Sequence, residues 1–370
     1  MPLRNKIFFV DPRGNFNFDD ADVLERHNSY LKEYERKFSE PLEIIVLGIE
    51  TNSLTEAVRG YAVSNRTRNF IKFALLSAKF VKSHSSLVLV ASDPWFSLLS
   101  CLAIKRLINP KTIIQLQLHG QYLKGHPMRL KNFAVKTYIQ WCIKKTDQTR
   151  FVNMFEYKYF VGGSTIKVRE KAFFAPVPLN KVFLENIPEL SPTRPLTIGF
   201  VGRIQSERGL PVFIKVAGNL KRALPELRAI VIGTGPDREI FEKSLKESFK
   251  GDLLMLDYLT PTELKSQMAN IGVLLSCAPR ESYGRAMREA VLSGVPVLAI
   301  RSDGALSLQN SLPEACFQLF ERKESRDEIL KKFNQLLESG YSPAELVKNL
   351  GLDSPETSKL IESWHQLIHR

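Results

Sequence analysis

Two carboxylates, Glu281 and Glu289, bracket a glycine in the stretch Glu281-Ser-Tyr-Gly-Arg-Ala-Met-Arg-Glu289. Their spacing is just over two helical turns, so both can lie near one face of a helix that starts around Gly284. Gly284 permits close backbone approach at that start, where N–H groups and the helix dipole favour an anion. Gly294 is placed to end the helix, and Val295-Pro-Val-Leu-Ala-Ile300 reads as a buried strand. A loop carboxylate, an anion-binding helix start and a second carboxylate two turns in suit a sugar nucleotide.

A second constellation precedes this one. Gly199-Phe-Val-Gly-Arg203-Ile-Gln-Ser-Glu-Arg208-Gly209 reads as strand, tight turn and helix start, and its two arginines could clamp a diphosphate with charge-assisted, bidentate bonds. Ile230-Val-Ile-Gly233-Thr-Gly235-Pro-Asp237 is another strand-to-glycine turn. It lacks the third glycine of the dinucleotide fingerprint and reads as an ordinary strand–helix turn. His119-Gly120 closes the strand predicted over Thr112–Leu118 and is the best placed of the six histidines, although a lone histidine at a strand end is more often structural.

These residues need a scaffold of alternating elements, and the hydrophobic pattern supplies one. Strands are predicted over Lys6–Val10, Leu42–Leu47, Leu87–Ala91 and Thr112–Leu118, and helices over Asp20–Lys37, Asn65–Ser83, Trp95–Leu107 and Arg129–Lys145. The pattern breaks between the prolines at Pro176–Pro178 and Pro192–Pro195, which read as a linker. It restarts with strands over Thr197–Val201, Ala229–Ile232, Leu253–Leu256 and Val273–Ser276, separated by helices over Leu210–Ala223, Asp237–Ser248 and Thr262–Ala269. The tail Ser354–Ile368 reads as a last helix with Trp364 available to pack. Such alternation implies an α/β chain with parallel sheets covered on both faces. The length of 370 residues suits two domains, 1–178 and 190–345, followed by a helical segment 346–370.

Composition excludes several classes. The richest apolar run, Ser86 to Ile104, is interrupted by Asp93-Pro94 and is no membrane span, and the N-terminal apolar segment is too short for a signal peptide. Cys101, Cys142, Cys277 and Cys316 are scattered without C-x-x-C spacing, which indicates neither a zinc site nor a disulfide framework and fits a reducing cytosol. Residues 1–190 hold 28 Lys and Arg against 17 Asp and Glu, whereas residues 191–370 hold 24 against 22. Between residues 57 and 150 the only acids are Asp93 and Asp147. The excess points to an anionic partner for the first half. Arg68, Lys72, Lys79 and Lys82 fall along one side of the helix over Asn65–Ser83, with Lys131, Lys136, Lys144 and Lys145 in a later helix. A basic amphipathic helix of this kind can lie on an anionic membrane surface, although a core helix with a solvated lysine face has the same periodicity. Nucleic acid is not expected, because no binding module is present and the basic excess avoids the better-defined second half.

Taken in order, Phe-Val-Gly-Arg203 with Glu-Arg208-Gly, Val-Ile-Gly-Thr-Gly-Pro, Leu264 to Ser276, Glu281 with Glu289 and Ser-Gly-Val-Pro-Val resemble the nucleotide-binding half of glycosyltransferase family 4. The resemblance implies the GT-B fold, two Rossmann-like doubly wound domains facing across a cleft, with the C-terminal helix returning to the first domain. It implies retaining transfer of a sugar from a UDP- or GDP-sugar to a hydroxyl of a glycan or lipid-linked acceptor, in surface polysaccharide or glycolipid assembly. Arg203 and Arg208 would bind the diphosphate with help from the backbone amides of Gly284, Arg285 and Ala286. Glu281 would hold sugar hydroxyls, Glu289 the ribose, and His119 would sit beside the reacting sugar. No metal or other cofactor is implied, since cationic side chains and a helix start stabilise the departing diphosphate. Peripheral contact with the inner face of the membrane would follow from a lipid-linked acceptor.

The chain departs from the family's pattern in its first loop, Asp11-Pro-Arg-Gly14-Asn, where a Gly-Gly loop is usual. Arg208 also stands where lysine is common. The alternatives are a sugar-nucleotide epimerase of the same architecture and a catalytically silent sugar-nucleotide-binding subunit.

Overall fold

The computed structural model describes all residues except 1–4, 15, 17–20, 56, 65–68, 83–86, 120–121, 123–128, 190–193 and 351–357. Gly120, Arg68 and Pro192 lie outside the described residues, as does the side chain of Lys131. The chain divides into two compact units, Met1–Pro178 with Pro355–Arg370, and Leu179–Ser354.

The first unit is built on β1 (Asn5–Val10), α1 (Ala21–Phe38), β2 (Leu42–Gly48), β3 (Asn52–Thr55), β4 (Val58–Ala62), α2 (Phe70–Val81), β5 (Val88–Ala91) and α3 (Phe96–Leu107). It continues through β6 (Ile113–Leu118), α4 (Arg129–Lys145), β7 (Gln148–Phe151), α5 (Met154–Val161), α6 (Ile166–Lys171) and β8 (Ala172–Phe174). Its sheet runs β3-β4-β2-β1-β5-β6-β7-β8 and is parallel except for the β3–β4 hairpin at one edge. β2 is buried at every position, as a strand covered on both faces must be. Short polar sequences hide β3 and β7 from a hydrophobic-pattern reading. β3 is Asn-Ser-Leu-Thr, and β7 is Gln-Thr-Arg-Phe with Thr149 and Arg150 fully withdrawn from water.

The second unit contains β9 (Thr197–Val201), α7 (Leu210–Ala223), β10 (Arg228–Ile232), α8 (Arg238–Phe249), β11 (Leu253–Leu256), α9 (Pro261–Met268) and β12 (Val273–Ser276). There follow α10 (Arg285–Leu292), β13 (Val297–Ile300), α11 (Asp303–Gln309), β14 (Phe317–Phe320), α12 (Arg326–Glu338) and α13 (Pro343–Asn349). The sheet is wholly parallel with order β11-β10-β9-β12-β13-β14. α9 and α12 each begin with a capping box, Thr260 with Glu263 and Ser325 with Glu328, which satisfies backbone donors at both helix starts. Leu346 of α13 is buried with the second unit, so residues 346–349 stay with it and the return to the first unit begins later in the chain.

That return is made by α14 (Ser358–Ile368). Leu360, Ile361, Trp364 and Leu367 are fully buried among Phe9, Tyr30, Tyr34 and Val88. Trp364 meets the rings of Phe9 and Tyr30 edge-on, and its indole donates to Gln115 Oε1 at 2.9 Å. The Gln115 amide in turn donates to Ser363 Oγ at 2.9 Å. Replacing Trp364 by alanine leaves a cavity and removes one of the two donors to Gln115 Oε1, the other being Gln117 Nε2 at 3.1 Å. The expected cost is about 3–5 kcal/mol. Urea unfolding should therefore show a destabilised transition for Trp364→Ala, and a smaller loss for Trp364→Phe, which keeps most of the volume.

Candidate functional site

The strand order of the second unit is that of a doubly wound sheet, and it reverses between β9 and β12. At such a switch point the loops leaving the two strands diverge and open a ligand crevice at their carboxyl ends. The loop after β9 carries Arg203 and Arg208, and the loop after β12 carries Glu281. The two loops touch through backbone. Gly209 adopts φ 75°, and a β-carbon there would lie 1.9 Å from the carbonyl oxygen of Cys277.

This approach lets Arg208 Nη1 reach Glu281 Oε2 at 2.8 Å. The side chains are 42% and 18% exposed, so the pair contributes at most about 1 kcal/mol to stability. Its importance is positional. The other oxygen, Glu281 Oε1, accepts the Gly284 N–H at 3.0 Å, and the Glu281 carbonyl accepts from Gly304 N–H at 2.7 Å. Gly284 turns the chain into α10 with φ 75° and ψ 48°, and a β-carbon there would strike Met287 Cε at 2.3 Å. The expected trio of amides is thus divided. Gly284 serves Glu281, while Arg285 and Ala286 form the first turn of α10, the positive end of its dipole. Further along, Glu289 is buried and accepts from Arg285 Nε at 2.8 Å.

Arg203 stands exposed on its loop, which is braced from behind by the glycine turn after β10. Ile204 N–H donates to Thr234 O at 2.8 Å, and Ser206 N–H donates to the Asp237 carboxylate at 2.6 Å. The Gly233–Asp237 turn is therefore scaffold for the arginine loop.

All the expected site residues except His119 lie in the second unit. His119 follows β6 in the first, solvent-accessible at its surface yet densely surrounded by protein. That desolvation, followed by the charges of Arg150, Arg26 and His27, lowers its pKa to about 3, so the imidazole is neutral at physiological pH. Arg150 is itself buried, donating from Nε to Ala175 O at 2.8 Å and from Nη2 to Pro176 O at 2.7 Å. The Ala175-Pro176 segment is pinned to the sheet by this arginine.

Residues 185–351 match the family model described as glycosyl transferases group 1. The match lies within the second unit. The chain is 28% identical over 109 residues to the 2-deoxystreptamine N-acetyl-D-glucosaminyltransferase of Niallia circulans, covering 29% of this chain and 28% of that one. The matched stretch is thus little more than a quarter of that relative's length. Likeness across the whole chain is seen with the lipopolysaccharide outer core galactosyltransferase WaaB, at TM-score 0.68 and 15% identity, covering 98% of this chain and 99% of that chain. Anabaena HepE in complex with UDP and glucose matches at TM-score 0.64 and 12% identity, covering 98% and 100%. The fold is therefore GT-B, with two Rossmann-like domains.

Two residues of the second unit escaped the sequence reading. Tyr283 is buried beside Gly284, and the Arg288 guanidinium lies 3.8 Å above its ring. Arg288 is 7% exposed, and its Nε and Nη1 have no hydrogen-bond partner among the described residues. A side chain one position before the acid of a motif carries no sequence signal that it will turn back onto the tyrosine.

The His119 pKa gives a pH test. With the folded value below the ordinary value of about 6.5, the unfolded chain takes up the proton first as pH falls. His119 therefore costs stability progressively below about pH 6.5 and nothing above it. The melting temperature of the wild type should fall more steeply than that of His119→Gln between about pH 6 and pH 4. Parallel curves would show that the ring titrates as an ordinary solvated imidazole.

Proposed function

We propose that the protein transfers a sugar, with retention of anomeric configuration, from a UDP- or GDP-sugar to a hydroxyl of a glycan or lipid-linked acceptor. The observation that carries this reading is the meeting of Arg208 and Glu281 at the β9–β12 switch point, beside the start of α10. A carboxylate suited to sugar hydroxyls and a guanidinium suited to a diphosphate are there placed one hydrogen bond apart. UDP in the HepE complex supports a nucleotide donor.

In this reading Arg208 turns from Glu281 to the diphosphate, joined by Arg203 and the first-turn amides of α10. Glu281, released, takes the sugar hydroxyls, and Glu289 takes the ribose. The bond between the anomeric carbon and the phosphate oxygen breaks as the acceptor oxygen bonds from the same face. The departing phosphate accepts the hydroxyl proton. The negative charge that develops is met by preorganised cations and helix-start dipoles, so the step needs no metal. Neutral His119 would act beside the sugar as a hydrogen-bonding group rather than as a charge.

The first unit supports contact with an anionic membrane surface as the place where a lipid-linked acceptor is met. No described helix is long and apolar enough to cross a membrane. The outward face of α2, however, combines Lys72, Lys79 and Lys82 with Ile71, Leu75 and Leu76, all exposed. Three neighbouring exposed aliphatic side chains favour the membrane reading over a merely solvated lysine face. On α4, Phe133, Trp141, Lys144 and Lys145 are all exposed. Apolar groups entering the headgroup boundary with lysines at its anionic surface fit both faces.

A thermal-shift series with UDP, GDP, ADP and their sugar conjugates tests the donor. One base class should raise the melting temperature, with about 2.7 kcal/mol of stabilisation at a hundredfold excess over Kd. Arg208→Ala should weaken nucleotide binding about 10- to 100-fold. Glu281→Ala should keep the nucleotide shift and lose sugar transfer by about a hundredfold or more. No shift with any nucleotide would sink the reading, and donor turnover without acceptor would mark an epimerase. For the membrane, flotation with anionic liposomes at low salt should capture the wild type and release it at high salt. Leu75→Glu with Leu76→Glu should abolish capture, and equal capture of that variant would remove α2 from the surface.

A further inference from the structure

Outside the sugar-nucleotide site, one cluster brings together side chains whose chemistry has no use in transfer. Glu40 follows the end of α1, and His365 and His369 lie one turn apart at the end of α14. Glu40 Oε2 lies 3.0 Å from His369 Nε2 and 3.7 Å from His365 Nδ1. The three ligand atoms all fall within 4.8 Å of one another. An ion bonded at about 2.1 Å to each of two ligands holds them at most about 4.2 Å apart, so small side-chain rotations complete the set.

The surroundings hold these groups in place. The His365 ring stacks on Phe38 with centroids 3.8 Å apart and planes 2° from parallel. Asn5 Nδ2 donates to Glu40 Oε2 at 2.7 Å, fixing the carboxylate. The Tyr34 hydroxyl lies 3.1 Å from His365 Nδ1 and also within hydrogen-bonding reach of Glu40. It can therefore pass to the carboxylate when Nδ1 is needed elsewhere. Outer partners of this kind orient first ligands in metal sites. The cluster is part-exposed, leaving room for water as a fourth ligand.

We propose that Glu40, His365 and His369 bind a divalent transition-metal ion, zinc being the best match to two imidazoles and one carboxylate, and that the ion fastens α14 to the end of α1. The bond would join residues separated by 329 positions in sequence, and clips that close long loops remove the most freedom from the unfolded chain. The ion would be a brace for the first unit, separate from sugar transfer. All four cysteines are buried, so they do not compete for zinc in the folded protein.

Calorimetric titration of zinc chloride into the metal-stripped full-length protein near neutral pH tests this directly. One saturable site per chain is expected. At a hundredfold excess of free ion over Kd, the folded-to-unfolded ratio should rise about 100-fold, seen as a raised melting temperature that EDTA reverses. His369→Gln, at the exposed end of α14, and Glu40→Gln, which keeps the side chain's shape, should each abolish stoichiometric binding. The metal-free melting temperature of His369→Gln should match that of the wild type. No binding by the wild type overturns the proposal, and so does binding that survives in both variants.

Discussion

The candidate site depends on a contact between two backbones. Gly209 and the Cys277 carbonyl are so close that no side chain fits between them. That approach brings the loop after β9 against the loop after β12 at the point where the sheet order reverses. Without it, Arg208 could not reach Glu281 in this geometry. The Arg208–Glu281 pair is a consequence of the contact and adds little energy of its own, being part-exposed on both sides. A weak pair is useful to a binding site, because its partners can be recruited by a ligand at small cost. Glu281 shows the same economy: one oxygen orders the start of α10 while the other holds Arg208.

Two buried arginine and glutamate features of the second unit lie beside this contact. Glu289 is buried with Arg285 as its ion partner, and Arg288 is buried over Tyr283 with two guanidinium nitrogens that have no hydrogen-bond partner among the described residues. A buried guanidinium in this condition costs stability that an apolar residue would not. Violations of this kind are expected where function competes with stability. Their concentration around Gly284, a short distance along the chain from the group that meets Arg208, argues that this end of the sheet is organised for something other than folding. Elsewhere the unit has capping boxes on α9 and α12 and a tight aromatic core of Phe200, Phe213 and Phe241.

Much of this was legible in the sequence, for identifiable reasons. Strands buried on both faces are mostly apolar, as in β2 and β13, and glycines with positive φ mark the turns after β9 and β10, at Gly202 and Gly233. The arginine loop and the two acids could be read because their roles depend on residue type and order. β7 was not legible, since its buried Thr149 and Arg150 are polar and pay for burial with hydrogen bonds that sequence does not display. The Glu40 cluster escaped for a different reason. His365 and His369 have helical spacing, but their third partner comes from the far end of the chain. The character of α2 was also undecided by periodicity, because Ile71, Leu75 and Leu76 could equally have faced inward; the structure places Phe73, Ala74, Ser77 and Val81 there instead.

The return of α14 to the first unit has a consequence for how the molecule is assembled. Trp364 hydrogen-bonds Gln115 across 249 residues, with the whole contiguous second unit between them. The face of the first sheet that includes Phe9 and Val88 is therefore completed only by residues that follow the second unit in the chain. Until then an apolar surface that belongs inside stays uncovered, which is the condition under which partly folded chains associate. Contacts of such long range are also slow to form, because loop closure must precede any gain from packing. Fastening the end of α14 does more for the first unit than its short length suggests, because the helix closes that unit's core.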